Sequence, residues 1–266
     1  MPTTFRDLHQ RSNPFILANA WDAGSAKMLA GLGAQAIATS SGAHAFTQGR
    51  PDMGTLTRDE ALSHAQDLIA AVNIPVSGDF ENGFADDPDT CAETVRMAAE
   101  IGLAGISIED TALPADTSYA FDLSVERIRA AAAAARALPQ DFVLVARADG
   151  VMNGQYDINE AIKRLKAYEA AGADCLYVPM PANMGDLARI CAATSLPVNA
   201  LAAGPFANIS RAQFAAIGVA RISTGAALAR VTHRALHDAA IAMFDNGDFN
   251  PLTMALPAAV TDRLLD

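Results

Sequence analysis

Two carboxylates stand one residue apart in "VSGDFENGF", Val76 to Phe84, where the apolar run from Ile74 stops. Alternation along an extended chain puts residues i and i+2 on one face, so Asp79 and Glu81 can reach one ion, directly or through water. Further acids end other apolar runs: Glu109 and Asp110 in "GISIED", and Asp149 in "VARAD". Asp52, in the loop "GRPDMG", can fold over the same place. Carboxylates brought together repel, and the repulsion must be offset by protonation, a basic partner or a cation. Oxygen donors without His or Cys favour a hard ion, so Asp79, Glu81 and Glu109 are expected to hold Mg²⁺, with Mn²⁺ as a substitute. Arg147 supplies a planar donor fork for a carboxylate or phosphonate. The small residues Ser41, Gly42 and Ala43 let backbone amides approach a second anionic group closely.

Plainer duties compete for the same residue types. Asp22 and Asp87 are read as helix caps, and Asp157 and Ser210 as two more. Arg147 can pair with Glu109 or Asp149 alone, and Asp149 is read as supporting the site rather than reacting. His9 and His64 are read as surface residues and His44 as a neighbour of the serine pair. His233 and His237 are read as packing or interface residues on a helix. Cys91, Cys175 and Cys191 have no metal-ligand spacing and are an odd number, which suits reduced, buried thiols in a cytoplasmic protein.

The elements that must carry these residues alternate. Strand candidates are "FILANA" (15–20), "AIATSS" (36–41), "IPVSGDF" (74–80), "GISIED" (105–110), "FVLVARAD" (142–149), "CLYVP" (175–179), "PVNAL" (197–201) and "ARIST" (220–224). Helical spacing fills 22–32, 57–72, 88–101, 124–138, 158–171, 184–194, 210–217 and 225–246. Eight strand–helix alternations in 266 residues predict one α/β domain, a (β/α)8 TIM-type barrel. An open doubly wound sheet is the runner-up, and "WDAGSA" after the first strand is not its glycine-rich phosphate loop. In such a barrel the strand C-termini face the active site, which is where the polar residues above fall. Residues 248–266 read as a linker and a short amphipathic helix outside the repeat.

Composition excludes several partners. Lys and Arg total 19 against 30 Asp and Glu, a net charge of -11, with no basic run, so nucleic acid is not expected. No apolar run is long enough to span a bilayer, and "MPTTFRDLHQRSNPF" lacks the apolar stretch of a secretory signal.

The ordered set "ATSSG", "GRPDMG", "GDFENGF", "SIED", "VARADG" and "PVNAL" resembles the isocitrate lyase/phosphoenolpyruvate mutase superfamily, over roughly Phe15 to Gly225. The resemblance implies a barrel binding Mg²⁺ and a 2-oxo acid, in a dimer or tetramer with a C-terminal helix swapped between subunits. It implies that Asp79 ligates Mg²⁺ directly and that Glu81, Glu109 and Asp52 hold the ion or its waters. It assigns Ser41, Gly42 and Ala43 to the 2-oxo acid carboxylate, Arg147 to the substrate's other end, and Asn199 to a place beside the substrate. The chain departs from the family in the lid. Lyases carry Lys-Lys/Arg-Cys-Gly-His after the Glu-Asp pair, whereas "EDTALPADTSYAFDLS" has no Cys, His or Lys, and the mutases' lysine and asparagine are missing too. Met180 stands where the lyases have a later glutamate, and Asp-x-Asp-x-Gly has become Asp79-Phe80-Glu81-Asn82-Gly83.

What remains suits a Mg²⁺-dependent lyase that cleaves a C–C bond of a small 2-oxo (di)carboxylate through a metal-stabilised enolate. Oxaloacetate decarboxylase-like and methylisocitrate lyase-like reactions both fit. C–P chemistry on a phosphonopyruvate-like substrate is the second reading, and a non-catalytic 2-oxo acid binder the third. The enolate needs a proton, and the lid segment Thr111 to Phe121 offers Tyr119, Ser118 and Thr117, or a water. Tyr119 has two readings: the donor, with a pKa lowered by the nearby cations, or a residue that only packs on the barrel rim.

Overall fold

In the computed structural model, which describes residues 4–266, eight parallel strands close into a barrel in sequence order. They are β1 (Phe15–Asn19), β2 (Ile37–Ala38), β3 (Val76–Asp79), β4 (Gly105–Glu109), β5 (Val143–Arg147), β6 (Cys175–Tyr177), β7 (Val198–Leu201) and β8 (Arg221–Ser223). β1 pairs with β2 on one side and β8 on the other, which closes the ring. The register sets Glu109 beside Arg147, and Asn199 between Tyr177 and Arg221.

Helices α1 (Ala23–Gly31), α2 (Ser41–Thr47), α3 (Arg58–Ala71), α4 (Pro88–Glu100) and α5 (Phe121–Arg136) cover the first half of the barrel. The second half carries α6 (Ile158–Ala171), α7 (Met184–Ala192), α8 (Arg211–Ala216) and α9 (Ala227–Asn246), followed by α10 (Ala258–Leu265). The predicted caps are present, since Asp22, Asp87, Asp157 and Ser210 each accept from a backbone N–H of the following first turn. Among the described residues no helix is long and apolar enough to cross a membrane.

Strand alternation divides the apolar residues into two cores. Outward side chains such as Ile37, Val76, Ile106, Ile108, Leu144 and Leu176 pack under the helices. Inward Phe15, Leu17, Val143, Val145, Cys175 and Tyr177 fill part of the barrel, with Phe5 against Phe15. Further inward positions are polar: Asn19, Ser77, Ser107, Asn199, Arg221 and Ser223, all buried. The barrel is thus an apolar plug beneath a polar chamber.

Three local readings need correction. The second strand stops at Ala38, because Ser40 caps a further helix, α2, through its hydroxyl and the Ala43 amide. Ser41-Gly42-Ala43 is therefore a helical first turn. His64 is buried rather than on the surface: its Nε2 lies 3.0 Å from the Trp21 carbonyl oxygen, and its ring stacks on His44 at 3.8 Å. His9 is also largely enclosed, edge-on to Phe5 and Phe15. The three cysteines are free and buried in α4, β6 and α7, as expected.

α10 returns to α1 of its own chain, where Leu264 packs on Gly31 and Lys27 Nζ donates to the Leu265 carbonyl. The stretch between leaves large apolar side chains in solvent, with Phe244 84% and Met254 89% exposed.

Candidate active site

A cavity of about 160 Å³ opens at the strand C-termini and brings together Ser41, Gly42, Asp52, Asp79, Glu81, Glu109, Arg147 and Asp149. β3, β4 and β5 end side by side, so their last inward residues Asp79, Glu109 and Arg147 converge. The Arg147 guanidinium lies among the acids, with Nη1 2.8 Å from Asp79 Oδ1, Nη2 2.9 Å from Glu109 Oε2, and Nη2 2.6 Å from Asp149 Oδ2. Its Nε donates to Asp149 Oδ1 at 3.1 Å, which makes the Asp149 pairing bidentate. The Ser41 amide and hydroxyl donate to Asp79 Oδ2 at 3.0 and 2.9 Å. Glu81, with φ 46° in the left-handed region, turns its carboxylate to accept from the Gly54 amide at 3.2 Å. Gly42 is required here, because a Cβ would overlap the Asp52 carboxylate.

The two arginines that line the cavity, Arg147 and Arg221, do not balance its five acids. Burial, then the charge of Asp79, pushes Glu81 up to about 7. Burial likewise raises Glu109 well above the usual carboxylate range, with Arg147 pulling the other way and Asp149 adding repulsion. Asp149 is raised to about 6, chiefly by burial, and Asp52 is raised by desolvation with Asp79 adding to it. Arg147 stays protonated, since its carboxylate partners outweigh the burial that opposes its charge. Among the described residues no three acids, alone or with His or Cys, are gathered closely enough to hold a bare ion. The donor set fits a hydrated hard cation instead: all oxygen, over-acidic and facing a cavity. Mg²⁺ keeps several of its waters and is characteristically held through few direct carboxylates.

Other expected residues lie elsewhere. Tyr119 does not line the cavity. Its hydroxyl donates to Asp86 at 2.6 Å and accepts from Asn82 at 2.9 Å, and Arg127 lies over its ring at 4.0 Å. Its pKa goes up to about 12, mainly by burial and then through Asp86, the reverse of the lowering expected from nearby cations. The lid folds back on itself through a Thr111–Ser118 bridge, which turns Tyr119 onto the barrel rim. Among the described residues Ser118 Oγ is buried without a partner, and Thr117 is exposed. Asn199 is fully buried inside the barrel, donating to Ser223 Oγ at 2.9 Å and accepting from Arg221 Nε at 2.9 Å. Ala43 is buried too, with its amide spent on Ser40. The inward-facing Arg221 escaped the sequence reading, although an arginine inside "VARIST" two residues before Ser223 was a visible signal. Leu113, Met53 and Met152 also line the cavity, an apolar cap that composition did not announce.

A closed parallel barrel with acids, an arginine and a serine turn at the strand C-termini defines a class of barrel enzyme whose site is built from strand-end loops. Residues 5–244 match the phosphoenolpyruvate phosphomutase family, and the chain belongs to it and to the isocitrate lyase/phosphoenolpyruvate mutase superfamily, as an enzyme of the lyase and mutase type. A crystal structure of a Burkholderia cenocepacia J2315 protein, named provisionally as a lyase/mutase, is 46% identical with a TM-score of 0.93, covering 98% of this chain and 93% of that one. A Mycobacterium tuberculosis protein of uncharacterised activity is 34% identical over 223 residues, 84% of this chain and 81% of its own length. Oxaloacetate decarboxylase of Paraburkholderia xenovorans is 29% identical, covering 100% of this chain and 89% of that protein.

Proposed function

We propose that the protein is a Mg²⁺-dependent lyase that cleaves a C–C bond of a small 2-oxo acid, the bonding electrons passing into the enolate of the product, which then takes up a proton. The observation that carries this reading is the over-acidic, all-oxygen donor set facing a cavity of about 160 Å³, the size of space that takes a benzene-sized ligand. Asp79, Glu81, Glu109 and Asp52 would hold the ion, in part through water. When bound, it supplies positive charge that polarises the 2-oxo acid. The chain's own residues do the rest. The Gly42 amide would meet the substrate carboxylate, while Ser41 spends its amide and hydroxyl on orienting Asp79. Arg147 holds Asp79, Glu109 and Asp149 in place and offsets their charge. Met53, Leu113 and Met152 shield the mouth from water, which strengthens each electrostatic contact inside. The proton returned to the product would come from water, since the lid residue that lines the cavity, Leu113, has none to give.

The name and full-length likeness of the oxaloacetate decarboxylase favour C–C over C–P cleavage. The test is turnover with Mg²⁺ of oxaloacetate, substituted malates and phosphonopyruvate. Release of pyruvate or another 2-oxo acid from the first two supports the reading, whereas turnover of phosphonopyruvate alone replaces it with C–P chemistry. Absence of turnover and of C3–H exchange of bound pyruvate in D₂O leaves a binder. We also propose assembly as a dimer or tetramer through the exposed apolar residues of α9 and the stretch after it, with α10 exchangeable between subunits, and a reducing cytoplasmic setting for the three free thiols. Light scattering of Phe244→Asp tests the assembly, and an unchanged mass would exclude that face.

A further inference from the structure

The candidate site contains a second arginine with a different status. Arg221 begins β8 and lines the same cavity as Asp79 and Arg147, yet it is only 4% exposed. Among the described residues it makes no salt bridge, and its single side-chain hydrogen bond is Nε to Asn199 Oδ1 at 2.9 Å. Nη1 is buried with no partner. Asn199 is itself fixed by Ser223 at 2.9 Å, so the guanidinium is held by one edge while its other donors are unspent. A buried guanidinium with no direct ion pair and an unspent donor is unfavourable. Accordingly, burial lowers the Arg221 pKa, the opposite of Arg147.

We propose that Arg221 is a specificity-determining residue that pairs with the second carboxylate of a 2-oxo dicarboxylate at the cavity floor. The proposal rests on the reading of this cavity as a 2-oxo acid site and names the class of acid it takes. Three features single out Arg221. Arg147 is already engaged by three carboxylates, so it has little charge left for a substrate. The loops above contribute Met53, Leu113, Met152, Pro179 and Ala226, which offer a carboxylate no donor side chain. Ser223 and Ser107 line the cavity with Arg221 and add hydroxyls to the same polar chamber. A substrate with an alkyl group in place of the second carboxylate would bury that group against these polar atoms and leave Arg221 unpaired, which is how a polar site rejects an analogue.

The test compares binding of 3,3-difluorooxaloacetate and pyruvate, each with Mg²⁺, by calorimetry. In Arg221→Gln the dicarboxylate should lose roughly 30-fold or more in affinity, the scale of truncating one partner of a buried charge pair, while pyruvate changes less than about threefold. Arg221→Lys keeps the charge without the fork and should lie between. In turnover, the same loss should appear in KM more than in kcat. Should Arg221→Gln not fold, the guanidinium ¹⁵N signals of the native protein, assigned by their absence in Arg221→Lys, should shift with the dicarboxylate and not with pyruvate. Equal losses for both ligands, or no loss and no ¹⁵N shift, overturn the proposal and make Arg221 a structural cation of the barrel. Failure of both ligands to bind the native protein overturns the reading of the site itself.

Discussion

Glu109 and Asp110 are neighbours on one strand end, and they live in opposite circumstances. Asp110 turns outward, under the helices. Its Oδ1 accepts from the Asp149 amide at 2.8 Å, and its Oδ2 from Tyr156 at 2.7 Å, Arg164 at 2.9 Å and Tyr168 at 3.1 Å. Four donors reach the two oxygens, which marks a structural acid. Glu109 turns inward and has Arg147 for a partner, shared with Asp79 and Asp149. The two acids are equally buried, so burial does not separate them. Satisfaction does: a fold spends a fully bonded carboxylate on holding itself together, and keeps an under-bonded one for something that arrives later.

Asp79→Ala breaks the inner group outright. Mg²⁺ binding measured by calorimetry should vanish, and turnover should fall by roughly 10²–10³-fold, the scale of losing a main electrostatic element of a site. The circular dichroism and melting temperature should stay near the native values. Undiminished Mg²⁺ affinity would remove the metal assignment.

Asp110→Ala breaks the outer group and should act on stability. It leaves Arg164 with Glu160 alone and two tyrosine hydroxyls without their acceptor, so denaturant unfolding should show a loss of about 3 kcal/mol. Asp110→Ala/Arg164→Met, which removes both charges, should recover part of it. A double variant no more stable than the single one would show that the tyrosines carry the network.

Glu81 sharpens the contrast through pH. Its folded pKa of about 7 lies above the ordinary carboxylate value, so between the two the metal-free folded state binds more protons than the unfolded one. Stability from this group is therefore complete at low pH and declines as pH rises through about 7, by up to about 3 kcal/mol. Glu81→Gln should flatten that decline, as should saturating Mg²⁺, which selects the ionised carboxylate. An unchanged slope in Glu81→Gln would place the titration on another group.

Tyr119→Phe has the smallest expected effect. Removing the hydroxyl costs about 1 kcal/mol for its bonds to Asp86 and Asn82. Turnover should change less than about threefold, against the hundredfold or more of a lost general acid. A large drop in turnover would return the tyrosine to the chemistry.

The legible parts of the sequence were those with a local cause. Eight apolar runs with helical spacing between them implied the barrel, and Asp22, Asp87, Asp157 and Ser210 sit where a chain must cap its next helix. Asp79, Glu81, Glu109 and Arg147 followed from one rule, that strand ends face the mouth. The cases that misled needed register or loop geometry. Asn199 and Arg221 share a register position across β7 and β8, and only that pairing shows them deep in the barrel beneath the strand ends. Tyr119 stayed open between donor and rim packing, because spacing along a loop says nothing of the bridge that folds it back. His64 looked solvated because a buried imidazole needs an acceptor, and that acceptor, the Trp21 carbonyl, lies 43 residues away.

Gly54 gives the site one more property. Its amide donates to Glu81, and its Cα side, at φ 71°, lies so close to Leu113 and Pro114 that a Cβ there would be 3.0 Å from both. The loop that bears Asp52 is thereby pinned between an acid of the chamber and the cap over it. An amide holds an ionised carboxylate more tightly than a protonated one. The clasp therefore tightens when Glu81 loses its proton, and the charge state of a single side chain sets how firmly the door above it is fastened.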